Sequence, residues 1–171
     1  MRPICVALVL CCLLDVSHAD ERASSLISSF KTLCVGEQLD FAKSEAKAAA
    51  MGLALREDLQ RPPENGVATR AKVWVVHLKT GEHEFVIAES RKESAQANIC
   101  GIAATDVRGH EFRPELVAAM KLGPPTSDDI STDGNRVTRW PFGSDGLNLQ
   151  LQDLSPRLEP SIHLYLILRP K

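Results

Sequence analysis

Lys72–Glu89 reads KVWVVHLKTGEHEFVIAE. Apolar residues recur with a period of two on both sides of Lys79-Thr80-Gly81-Glu82, which predicts a β-hairpin. With Thr80 and Gly81 as the central turn residues, Trp74 faces Ile87, Val76 faces Phe85 and Leu78 faces His83. These residues share one face, and all but His83 are apolar. The opposite face pairs His77 with Glu84 and Val75 with Val86. Such a hairpin needs cover on one side and can leave the other to water, as antiparallel sheets do.

Upstream, the period lengthens. Leu26, Ile27, Phe30, Leu33 and Cys34 fall on one face of a helix spanning about Ser24 to Cys34. A second, alanine-rich helix is expected from Leu39 to Met51, ending at Gly52. The following RPPENGVATR (61–70) has two prolines, Asn-Gly and no periodicity, and reads as a loop. Downstream, a third strand is expected over Ile99–Thr105. A helix follows, with Pro114 at its first position and Gly123-Pro124-Pro125 as its stop. Beyond a polar loop, Thr126 to Asn135, the alternating Leu147–Gln152 and Ile162–Arg169 read as strands. This order predicts an α+β domain: an antiparallel sheet of about five strands with helices packed on one face, two of them N-terminal and one inserted.

The first residues set the compartment. Arg2, the apolar run Ile4–Leu14 and Ser17-His18-Ala19 form the three parts of a secretory signal peptide, residues 1–19. The apolar run is short of the ~18 residues that span a bilayer. Residues 20–171 are then a single domain with no membrane anchor, periplasmic or secreted. The net charge of −2 and the 5% aromatic content do not suggest nucleic acid as a partner.

Removal of residues 1–19 leaves two of the five cysteines, Cys34 and Cys100. Cys34 lies at a helix C-terminus on its apolar face, where the dipole disfavours a thiolate, and Cys100 sits in the apolar strand ICGIAA. In an exported chain these two are expected to form one disulfide rather than stay as reactive thiols.

Motifs that would carry catalysis are missing. His77 and His83 fall on opposite faces of the hairpin, and no metal site can be assembled from the histidines. Asp128, Asp129 and Asp133 lack the spacing of a calcium loop and suit a turn. Neither a nucleophile elbow, a phosphate loop nor a dinucleotide fingerprint occurs, so no cofactor and no catalytic residue is assigned. Trp140 beside Arg139 is a candidate binding anchor as well as a candidate core residue. With His77 and Glu84 on the wet sheet face, these residues make up the candidate binding surface.

Phe30 and Cys34 in an F-x-x-x-C helix, the alanines of Ala46–Ala50 and the strand cysteine Cys100 complete the pattern. Over residues 1–105 it resembles small exported proteins of unknown function in Gram-negative bacteria. The resemblance implies a periplasmic or secreted home and brings no activity. The expected function is a non-enzymatic binding or accessory protein of the cell envelope, with a protein partner or a small ligand. The alternative is a small exported hydrolase built on His110, Asp106 and Glu111.

Overall fold

A computed structural model describes residues 21–36, 39–64, 66–92, 95–143, 146–154 and 160–169. The signal segment 1–19 lies outside these residues, as does Ser144-Asp145, which the sequence reads as a turn between a strand at Trp140 and the next. Helix α1 spans residues 21–34. It is followed by α2 (Phe41–Ala50), β1 (Ala54–Glu64), β2 (Val67–Leu78), β3 (Gly81–Lys92) and β4 (Ala95–Thr105). Then come α3 (Gly109–Met120), β5 (Ser127–Ile130), β6 (Arg136–Pro141), β7 (Leu147–Asp153) and β8 (Ser161–Leu168). All the strands join one antiparallel sheet in the order β1-β2-β3-β4-β8-β7-β6-β5. Two four-stranded meanders, β1–β4 and β5–β8, thus meet along β4 and β8.

The α+β expectation of about five strands is therefore wrong. Among the described residues the fold is mostly sheet, with eight strands and three helices. The strands that were missed bury little. Ala54 to Arg61 of the edge strand β1 are all exposed, so no inward face imprints a period of two on ALREDLQ. The prolines after Arg61, read as a loop signal, are tolerated because an edge strand has one side without ladder bonds. The opposite edge, β5, is four residues of mostly exposed SDDI. The strand expected at Trp140 is present as β6, where burial falls on Thr138 and Trp140.

The hairpin also differs from expectation. Leu78 pairs with Gly81, leaving Lys79 and Thr80 as the turn, so Trp74 faces Phe85 and Val76 faces His83. His77 faces Glu82 and Val75 faces Glu84; the expected His77–Glu84 pair does not form. Direct opposition lets Trp74 and Phe85 stack with centroids 5.4 Å apart, a gain the other register lacks. Because each partner moves by two residues, every side chain keeps its face.

Helix-facing side chains build the core: Trp74, Phe85, Ile87, Cys100, Ile102, Leu149, Leu151, Ile162 and Leu164 are buried. The seam between the meanders, Cys100↔Leu166, Ile102↔Leu164 and Ala104↔Ile162, lies in that core. Helix α1 inserts Leu26, Phe30 and Leu33 against it and is joined by the expected disulfide, Cys34–Cys100, with Cα atoms 5.5 Å apart. Asp40 caps α2 by accepting the Lys43 N–H at 2.9 Å, and Glu45 of the same helix pairs with Lys72 of β2. Helix α3 starts at Gly109, earlier than Pro114 suggests. Asp153 of β7 accepts the Gly109 N–H at 3.2 Å, so the start is capped from another strand and Pro114 falls inside the helix.

Candidate functional site

Residues paired directly across an antiparallel sheet project to the same side, so the ladders define what the helix-free face displays. One row runs Val75–Glu84–Ala103–His163–Gln152–Val137–Asp129. The next runs Val73–Val86–Gly101–Tyr165–Gln150–Arg139–Ser127. Apolar residues dominate the β2–β3 side, and a polar group occupies the centre.

Gly101 makes that polar group possible. A Cβ there would lie 2.2 Å from Tyr165 Cδ1, so only a bare backbone admits the Tyr165 ring over β4. The Tyr165 hydroxyl sits 3.1 Å from His163 Nδ1, and the two rings meet edge-on at 5.9 Å. Burial raises the Tyr165 pKa, with the Glu84 charge adding to it, so the phenol stays neutral.

Where the β3–β4 ladder stops at Glu84↔Ala103, a cleft of about 280 Å³ opens at the strand ends. Its wall includes Arg56, Glu82, Glu84, His83, Ser161 and His163. Arg56 donates to Glu84 Oε1 at 2.8 Å and lies 3.8 Å from Glu82. One guanidinium therefore serves two carboxylates. His83 is 2% exposed; its Nε2 is 3.3 Å from the Thr80 hydroxyl, and its buried Nδ1 has no hydrogen-bond partner among the described residues. Burial lowers the His83 pKa, and the charge of Arg22 lowers it further, which keeps the ring neutral. With the proton on Nε2 and donated to Thr80, Nδ1 is a free acceptor.

The residues expected to form a binding surface separate. Glu84 is in the cleft wall, and His77 is exposed on β2. Arg139 lies on the helix-free face, bonded to Gln150 at 2.9 Å, Ser127 at 3.0 Å and Asp129 at 2.9 Å. Trp140 points the other way. It is 1% exposed beneath Arg113, whose guanidinium is 5.7 Å from the ring centroid. Neighbours in a strand take opposite faces, so the expected Arg139–Trp140 anchor is divided by the sheet.

Asp128, expected in a turn, instead binds together β5, β6 and α3. It accepts from Arg136 Nη2 at 2.7 Å, Thr138 Oγ1 at 2.8 Å and Arg113 at 3.3 Å. The Arg136 hydrogen bond, chiefly, holds its carboxyl far below the usual carboxylate range. His110 and Glu111, named for a hydrolase, stand 65% and 56% exposed, with 3.6 Å between His110 Nε2 and Glu111 Oε1. Asp106 is exposed on the turn after β4. Among the described residues no three His, Cys, Asp or Glu side chains are arranged to hold a metal ion.

No family model, curated protein or solved structure matches this chain.

Sequence reasoning had missed His163, Tyr165 and Arg56. The first two were accessible: with Ile162, Leu164 and Leu166 facing the core, His163 and Tyr165 must face away. Arg56 was not, because β1 carries no strand signal.

Proposed function

We propose that the protein is an exported, disulfide-stabilised, non-enzymatic binding protein, periplasmic or secreted, and that its cleft takes the ammonium end of a small amine. Export rests on the three-part pattern of residues 1–19 and on a buried disulfide, which persists in oxidising compartments. The amine rests on the wall chemistry. Glu82 and Glu84 outnumber Arg56, and an ammonium group brings donors to an acceptor-rich site. The observation that carries the reading is the pair of carboxylates, Glu82 and Glu84, that share the single Arg56 guanidinium in the wall of that cleft. Concave sites with a few convergent polar groups are where small ligands bind.

Calorimetric titration of oxidised residues 20–171 with small primary amines, matched carboxylates and matched neutral amides tests this. Amines should bind, and Glu84→Gln should weaken them by roughly tenfold as a charge-assisted contact is lost. Binding of carboxylates in preference to amines, or of none of the probes, overturns the proposal.

A further inference from the structure

Strand β1 is the long free edge of the sheet. Unprotected edges invite pairing with another chain, and proteins blunt them with bulges, prolines and charges. Here the register breaks and the prolines sit at the two ends, and the charges lie between them. Register breaks fall between Leu55 and Glu57 and between Arg61 and Glu64, and the second break contains Pro62-Pro63. Between them Glu57-Asp58-Leu59-Gln60-Arg61 runs in unbroken register against Val73 to Thr69 of β2. This stretch is exposed, including Leu59 at 40%. Glu57, Leu59 and Arg61 lie opposite Val73, Ala71 and Thr69 and so share the helix-free face; Asp58 and Gln60 point to the helix face. Asp58 is held by Lys72 at 3.2 Å, whereas Glu57 and Arg61 have no hydrogen bond or ion pair among the described residues.

The order of these residues is self-complementary. Placing two β1 strands antiparallel about a twofold axis at Leu59 sets Leu59 against its own copy. Glu57 then faces Arg61 of the partner subunit, and Arg61 faces Glu57 of the partner subunit. Asp58 faces Gln60 of the partner subunit on the other side. The apolar row Leu59–Ala71–Ala88–Ile99–Ile167 becomes continuous through the axis. Moving the axis to Glu57 opposes two like charges and brings the bulge into the ladder. Moving it to Gln60 opposes Leu59 to a charge. We propose that the edge Glu57–Arg61 is a homodimer interface, closed by an isologous β1–β1 ladder that the bulge and the prolines limit to these five residues.

Sedimentation velocity on oxidised residues 20–171 at about 100 µM, suited to an interface at the small end of the range, tests the proposal. The chain should sediment as a dimer whose association weakens with added salt. Glu57→Arg alone and Arg61→Glu alone each turn both symmetric pairs into like-charge pairs, and each should weaken association by roughly tenfold or more. Both positions are exposed, so near-ultraviolet circular dichroism should report an unchanged fold. The double exchange Glu57→Arg/Arg61→Glu restores opposite charges in both pairs and should restore the dimer. A monomeric parent chain, single variants that dimerise as well as the parent, or a double exchange that stays monomeric would each overturn the interface.

Discussion

Reducing the Cys34–Cys100 bond removes a crosslink that spans 66 residues. The loop it closes in the unfolded chain carries an entropy of about 2.1 + 1.5R ln 66 cal/mol/K, near 15 cal/mol/K, or about 4 kcal/mol at 25 °C. That is a large share of the 5–15 kcal/mol that holds a typical domain folded. With a urea m-value of about 2 kcal/mol/M, the unfolding midpoint should fall by about 2 M. The bond joins α1 to β4 beside the seam of the two meanders, so α1 amides should also lose exchange protection before those of β4. Both cysteines are buried, at 1% exposure each, so mutation mixes the crosslink with a packing loss. The assay therefore compares oxidised and reduced parent chain, with Cys34→Ala/Cys100→Ala as a third curve about 1–2 kcal/mol lower for the missing sulfurs. Coinciding oxidised and reduced midpoints would contradict a crosslink contribution, because reduction adds a hydrogen to each sulfur but removes no packed side-chain atom.

Three further perturbations bear on the sheet. Gly101→Ala places a methyl within 2.2 Å of Tyr165 Cδ1 and 2.8 Å of the Leu164 carbonyl oxygen. It should cost about 1–3 kcal/mol in chemical denaturation, with only partial recovery in the Gly101→Ala/Tyr165→Ala pair because the carbonyl remains. Asp128 has a folded-state pKa below its unfolded value, so its contribution is present above about pH 4 and is lost as pH falls further. Asp128→Asn should flatten that acid limb in thermal melts recorded from pH 5 to pH 2. His83 has its folded pKa lowered by burial and by Arg22, so the unfolded chain takes up a proton more readily and stability declines as pH falls below about 6.5. His83→Phe should remove this decline, and an unchanged limb would show that another group causes it.

How far the fold can be read from the residues depends on what each strand buries. In α1 and the β2–β3 hairpin the core side chains are large and apolar, and Phe30, Trp74, Phe85 and Ile87 write the periodicity into the sequence. The same holds for Leu149, Leu151, Leu164 and Leu166. Strands β1 and β5 are held by ladder hydrogen bonds to one neighbour and by polar side chains such as Asp58 and Asp128, which leave no apolar period of two. In β6 the inward threonine satisfies its hydroxyl on Asp128, so a polar residue stands where pattern reading expects an apolar one. The candidate site was half legible for the same reason. Glu84 was visible in the hairpin, whereas the cleft needs Arg56 from an edge strand and Ser161 and His163 from the far meander.

A ligand cleft where β3, β4 and β8 end, at Glu82–Glu84, Ala103–Thr105 and Ser161–His163, is tested by nitrogen-15 NMR of the oxidised protein during titration with a small primary amine. Saturable shifts are expected at Glu82–Glu84, Ala103–Thr105 and Ser161–His163, accompanied by the His83 ring nitrogens. Shifts centred instead on His110 and Glu111, or no saturable shifts anywhere, would contradict it.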